Sequence, residues 1–190
     1  MAKFEVIEKY KDQNINLPVR ATAHAAGYDF EAAEDIVIPS YFTLCSIMNN
    51  YGTNYGDIFS TLTGETGTVP KYLDEMAELT KALRTKPTLI PTGIKCQLAD
   101  DEYLELVARS SMPLKHWLVL ANGEGIVDSD YYNNPDNEGH IMFQYINFSP
   151  MDIIIKKGER IGQGIIRKYY ITENDAPGGE RTGGFGSSGK

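Results

Sequence analysis

The stretch Ile141-Met-Phe-Gln-Tyr-Ile146, with the runs Asp152-Ile-Ile-Ile-Lys-Lys-Gly158-Glu159 and Arg160-Ile-Gly-Gln-Gly-Ile-Ile166 that follow it, decides the fold class. Ile141, Phe143 and Tyr145 alternate with Met142, Gln144 and Ile146, the period-two pattern of a strand packed on both faces. The second run is a strand that enters a turn, and the third is a strand that leaves it. Working outward, Phe4-Glu-Val-Ile-Glu8 alternates, and Asp35-Ile-Val-Ile-Pro39 is a brief apolar run closed by proline. Glu102-Tyr-Leu-Glu-Leu-Val-Ala108 and Trp117-Leu-Val-Leu-Ala121 have the composition of buried strands. Many short strands at close spacing predict an all-β sandwich, jelly roll or barrel.

One segment has a different period. From Pro70 to Arg84 the apolar residues Leu73, Met76, Leu79 and Leu83 fall at helical spacing. Acids (Asp74, Glu75) lie near its start and bases (Lys81, Arg84) at its end, and Pro70 and Pro87 bracket it. A polar, glycine- and asparagine-rich stretch, Asn49 to Gly56, precedes it. Residues 41–86 therefore read as an insertion in the β domain (1–171), with a helix over 71–85. Residues 172–190 are polar and glycine-rich, as a mobile arm would be.

The chain has 190 residues, enough for one domain with an insertion, and an ordinary apolar share of 42%. Its net charge of −8 argues against a general nucleic-acid or membrane-surface binder, which needs a positive field. Any phosphate site must be basic only locally. Cys45 and Cys96 lie far apart, and with His24, His116 and His140 they form no zinc spacing, so they read as reduced thiols. The start, Met1-Ala-Lys-Phe-Glu5, lacks the pattern of a signal peptide, which leads to the expectation of a cytoplasmic protein.

Chemistry-bearing residues are scattered but ordered along the chain. Asp128, after Gly125-Ile-Val127, is a carboxylate at a strand or hairpin end, where it can take a proton from water. Asp-Ser-Asp is also ordinary turn chemistry. A calcium loop is excluded, because Asn133 and Gly139 stand where a central glycine and a terminal glutamate are needed. Arg109-Ser110-Ser111 offers a guanidinium, two hydroxyls and backbone N–H groups to phosphate oxygens. Arg160 and Gln163 are further donors. Arg181 and Phe185 sit among glycines in the tail, where a ring can stack on a base while N–H groups meet phosphates. The set points to an enzyme for a small phosphorylated substrate.

In this order the segments resemble the five motifs of the trimeric dUTPase family: Ala26-Gly-Tyr-Asp29-Phe30, Arg109-Ser-Ser111, Asn122 to Tyr131, Gly158-Glu-Arg160-Ile-Gly-Gln163, and Gly183-Gly-Phe-Gly-Ser-Ser-Gly189. The resemblance spans nearly the whole chain outside 41–86. It implies a distorted jelly-roll β-clip, a homotrimer with active sites shared between subunits, and an arm that reaches across to a neighbour's site. It implies hydrolysis of dUTP to dUMP and pyrophosphate with Mg2+, which limits uracil in DNA and supplies dUMP. By that resemblance Asp128 activates the attacking water and Tyr131 packs on the deoxyribose. Asn122, Gly125, Ile126 and Val127 read uracil from a tight hairpin. Arg109, Ser110, Ser111 and Gln163 bind phosphates, and Arg160 organises the closed site. Phe185 stacks over uracil; Arg181, Gly186 and Ser187 contact phosphates; Asp29 holds the metal's water shell.

Some departures follow from the same comparison. After Tyr131 the run Tyr-Asn-Asn-Pro-Asp-Asn-Glu-Gly139 is longer than the family's short turn, and Arg181 is one residue closer to its glycines. The longer loop leaves room for a rival, a dCTP deaminase or bifunctional enzyme of the same fold, with Glu124 or Glu138 as its base. The insertion leaves room for a protein partner and a regulatory role. No direct nucleic-acid or membrane partner is expected.

Overall fold

Strand β10 (Met142–Asn147) is the centre of the core, and its alternation is the one the sequence predicts: Phe143, Tyr145 and Asn147 are buried, Met142, Gln144 and Ile146 half-buried. The computed structural model describes residues 1–41, 87–176 and 184. The expected insertion, with its helix over 71–85, lies outside the described residues except for Tyr41, as do Cys45 and most of the 172–190 arm, including Arg181, Phe185, Gly186 and Ser187.

The described elements, in order, are β1 (Lys3–Val6), β2 (Val19–Arg20), β3 (Tyr28–Glu31), β4 (Ile36–Ile38), β5 (Thr88–Pro91), β6 (Ile94–Gln97), β7 (Glu102–Ala108), α1 (Ser111–His116), β8 (Leu118–Leu120), β9 (Gly125–Asp128), β10, β11 (Ile153–Ile155) and β12 (Arg160–Lys168). They form a five-stranded sheet β2-β3-β12-β7-β9, a three-stranded sheet β5-β10-β8, and the pairs β1-β6 and β4-β11. The paired strands run antiparallel. This is the mostly-β, jelly-roll arrangement expected.

Two glycines explain how the large sheet meets the core. A Cβ on Gly162 would stand 2.0 Å from Phe143 Cε1, and one on Gly164 would stand 2.7 Å from Phe30 Cε2. The rings of Phe30 and Phe143, with centroids 5.7 Å apart, therefore pack directly on the β12 backbone. The Gly-Gln-Gly run thus serves packing, while Gln163 between the glycines points to the opposite face. Tyr145 locks the same region, its buried hydroxyl donating to the Ile161 carbonyl at 2.6 Å.

The strand pairing also corrects one expectation. The segment around Asn122 is not a hairpin, because β8 pairs with β10 whereas β9 pairs with β7. The turn between them carries the chain from one sheet to another. Helix α1 has no counterpart in the sequence-based assignment. It is only six residues long and buries Met112 alone, too short for a period to register. Pro113 fits it because the first-turn N–H groups have no partner within the helix.

Gly162→Ala is expected to lower stability by about 2 kcal/mol or more, since neither the Phe143 ring nor the β12 backbone has room to yield. Urea denaturation checks this; an unchanged midpoint would contradict the packing account.

Candidate active site in two halves

The first half is built by strand register. On β12, Gln163 stands opposite Asp29 of β3 on one side and opposite Val107 of β7 on the other. Arg109 lies two residues beyond Val107, so period two brings Asp29, Gln163 and Arg109 to one face of the sheet. Arg160 joins them across a register shift between Arg160 and Gly162.

All three donors converge on Asp29, which is only 6% exposed. Gln163 Nε2 donates to its Oδ1 at 3.0 Å, Arg160 Nη1 to its Oδ2 at 3.2 Å, and Arg109 Nε lies 3.4 Å from Oδ1. Gly27 admits this arrangement, since a Cβ there would come within 3.1 Å of the Gln163 Cβ. Two partly exposed guanidinium groups on one buried carboxylate leave a locally positive surface on an acidic protein. Ser110 and Ser111 stand beside it at the start of α1. A cavity of about 350 Å3 runs between Arg109, Ser111, Arg160 and the β11 segment.

Bonded on both oxygens, the Asp29 carboxylate aligns these three donors. Among the described residues there is also no group of three or more His, Cys, Asp or Glu that could hold a metal ion.

The second half opens where β8 and β9 part toward different sheets. A cavity of about 280 Å3 lies there, lined by Asn122, Gly125, Ile126, Val127 and Tyr131 together with His140 and its neighbours. Gly125 keeps its floor close to the core, since a Cβ there would be 3.2 Å from the Leu106 Cβ. Gly184, from the arm, also lines it, and a Cβ on Gly184 would fall 2.7 Å from Tyr131 Cε2. Gly184 thus stands against the Tyr131 ring. Asp128 ends β9, half-buried and opposite Tyr103 of β7.

The two halves do not coincide within one chain. Asp128 is level with Tyr103, whereas Arg109 follows the far end of β7, six residues on, or about 20 Å along an extended strand. Neither side chain is long enough to close that gap.

The rival bases can also be placed. Glu138 accepts the Glu8 backbone N–H on Oε2 at 2.9 Å, and its Oε1 lies 3.6 Å from Lys95 Nζ. Glu124 is exposed on the turn. Neither lines the cavity.

Asn137 and His140, outside the motifs, complete this half. Tyr131, 7% exposed, donates its hydroxyl proton to the His140 carbonyl at 3.2 Å and accepts from Asn137 Nδ2 at 2.8 Å. His140 is buried beside Tyr10, and its Nε2 accepts the Gly93 N–H at 2.9 Å. Two signals in the sequence were available, a histidine next to an apolar run and asparagines dense enough to build a side-chain-bonded loop.

Known proteins resemble this chain in sequence and fold. The family model described as dUTPase matches residues 75–189. The deoxyuridine 5'-triphosphate nucleotidohydrolase of Lactococcus lactis subsp. lactis is 39% identical over 188 residues, covering 98% of this chain and 96% of that protein. The protein of the same name from Rickettsia typhi is 29% identical over 192 residues, covering 96% of this chain and 95% of that one. Among solved structures, the dUTPase of Streptococcus mutans superposes with a TM-score of 0.63 at 33% identity, over 90% of this chain and 98% of that one. The dUTPase of phage phi11 of S. aureus, at 14% identity and a TM-score of 0.59, shares the fold over 93% of this chain and 96% of that one. The β-clip fold and these matches define the class, a nucleotide hydrolase. Within that class, this chain belongs to the dUTPase family.

The buried His140 yields a pH prediction. Burial pushes its imidazole from the ordinary 6.5 down to about 4. Between those values the unfolded chain binds a proton that the folded chain refuses, so stability rises with pH across the window. This contribution is fully present above about pH 6.5 and is lost as pH falls toward about 4; it is worth about 3 kcal/mol. Urea titrations at pH 7 and pH 4.5 should show a larger loss for the native protein than for His140→Gln; equal losses would contradict the assignment.

Proposed function

We propose that the chain hydrolyses dUTP to dUMP and pyrophosphate in a site assembled from copies of itself, with Asp128 of one copy facing the Asp29-Arg109-Arg160-Gln163 cluster of another. The separation of Asp128 and Arg109 at opposite ends of β7 carries this reading. Exposed apolar side chains, among them Val19 at 65%, Trp117 at 65%, Met151 at 73% and Ile154 at 56%, supply surface for association. A homotrimer is the assembly inferred from the family.

Asp128 takes a proton from water, and the water oxygen attacks the α-phosphorus. The bond from that phosphorus to the bridging oxygen breaks, and pyrophosphate leaves with its charge met by Arg109, Gln163 and the Ser110–Ser111 segment. Arg160 shares Asp29 with Arg109, which holds both guanidiniums in place before substrate arrives. The cavity between the diverging strands takes the uracil. Asn122 and the Gly125–Val127 backbone read its edge, and a 5-methyl group is excluded by shape. Tyr131 lies under the sugar. Phe185 stacks on the base, with Arg181, Gly186 and Ser187 on the phosphates.

Magnesium fits this site as a passenger of the triphosphate, where oxygen ligands and water are plentiful. Bound there, it would offset phosphate charge. Asp29, whose oxygens serve three donors, would meet the metal through its water shell. Deamination of dCTP finds no base at the cavity, since Glu138 is tied to Glu8 and Lys95. A partner-binding role for residues 41–86, and a cytoplasmic location, stay as readings of the sequence.

Asp128→Asn is expected to lower turnover by about a thousandfold or more while nucleotide still binds. Pyrophosphate release from dUTP, dTTP, UTP and dCTP, with calorimetry for binding, tests this. Turnover near that of the native protein, or equal rates on all four, would refute the assignment.

A further inference from the structure

Eight residues lie between Tyr131 and His140, and side chains among them form a closed set of hydrogen bonds. Asn134 Nδ2 donates to the Tyr131 carbonyl at 2.9 Å and to Asn137 Oδ1 at 2.8 Å. Asn134 Oδ1 accepts from the backbone N–H groups of Asp136 and Asn137 at 3.1 and 3.2 Å. Asn137 Oδ1 also accepts the Gly139 N–H at 3.1 Å. With that oxygen occupied by two donors, the amide orientation is determined, and Nδ2 must face the Tyr131 hydroxyl. The phenol is then held from both sides, accepting from Asn137 and donating to the His140 carbonyl.

The loop is anchored outside as well. Lys95 Nζ donates to Asn133 Oδ1 at 2.6 Å, Glu138 accepts from the Glu8 N–H, and Tyr132 donates to Glu5. Asn133, Glu138 and Gly139 have positive φ angles of 57°, 59° and 81°. A Cβ on Gly139 would stand 2.5 Å from the Tyr131 carbonyl oxygen, so only glycine lets the loop close against that backbone. A segment this tightly built around one side chain is a mount for it.

We propose that Asn137 is a positioning residue for sugar discrimination: its amide fixes the Tyr131 ring at the face of the nucleotide cavity, so that a 2′-hydroxyl meets a rigid wall. This deepens the proposed function and rests on Tyr131 lying under the sugar. A ring held at one point can tilt and make room for a hydroxyl. A ring held at its hydroxyl by two partners and at its backbone by Asn134 and Gly139 cannot.

The test compares kcat/KM for dUTP and UTP in three variants. Asn137→Asp keeps the oxygen that binds Asn134 and Gly139 but replaces the donor facing Tyr131 with an acceptor. The single phenol proton cannot serve both that acceptor and the His140 carbonyl, so one anchor is lost. Tyr131→Phe removes the same contacts from the other side without touching the loop's own bonds. The preference for dUTP over UTP is expected to fall about tenfold in each, as for loss of one ordinary hydrogen bond, and in Asn137→Asp kcat for dUTP is little changed. The double variant should lose no more than either single one, because both act through the same hydroxyl. An unchanged preference in Tyr131→Phe or in Asn137→Asp would overturn the inference, as would full additivity in the double variant. Should Asn137→Asp not fold, Tyr131→Phe alone decides. Tyr131→Ala separates the layers: if it too leaves the preference intact, Tyr131 is not under the sugar and the site assignment fails; if it abolishes the preference while the finer variants do nothing, only the role of Asn137 falls.

Discussion

Strand β7 imposes the constraint on which the rest depends. Its seven residues pair with β12 on one edge and β9 on the other, and an extended backbone cannot be shortened. One end of it aligns Asp128 and the other delivers Arg109 to Asp29. The acid and the cations are therefore kept apart in every copy of the chain.

The same sheet couples packing to function. Gly162 and Gly164 exist to admit Phe143 and Phe30, and that close contact sets where Gln163 stands on the opposite face. Asp29 sits between two strands of this sheet and holds two guanidiniums that would otherwise repel each other. Burial of one carboxylate would be costly alone, and it is tolerable here because three donors converge on it. The base-binding half obeys a looser rule. It exists because two strands diverge to different sheets, and its walls are fixed by side-chain bonding in the Tyr131–His140 loop.

Much of this was legible in the sequence, for physical reasons. The alternation in 141–146 and the apolar run 102–108 reflect burial on alternating faces, and β10 and β7 form there. Strands β3, β5 and β6 were not assigned, because these short runs abut Gly27, Pro87 and Gly93, residues that read as turns. Helix α1 was hidden by its six-residue length. Spacing could not show that β8 and β9 belong to different sheets, since a turn looks alike whether its strands pair or part. The identities of Asp29, Arg109, Arg160 and Gln163 were readable, but their convergence was not, because it comes from register between strands far apart in the chain. Asn137 and His140 were passed over because hydrogen-bonded loop residues have no periodic signature.

The most direct measurement is subunit complementation. Two inactive variants, Asp128→Asn and Arg109→Ala, are unfolded together, refolded as a mixture, and assayed for pyrophosphate release from dUTP. If the acid and the phosphate cluster come from different copies, mixed assemblies contain some sites with both native groups, and activity returns that neither variant has alone. A mixture as inactive as its parts, with mixed assemblies shown to form, would contradict the composite site.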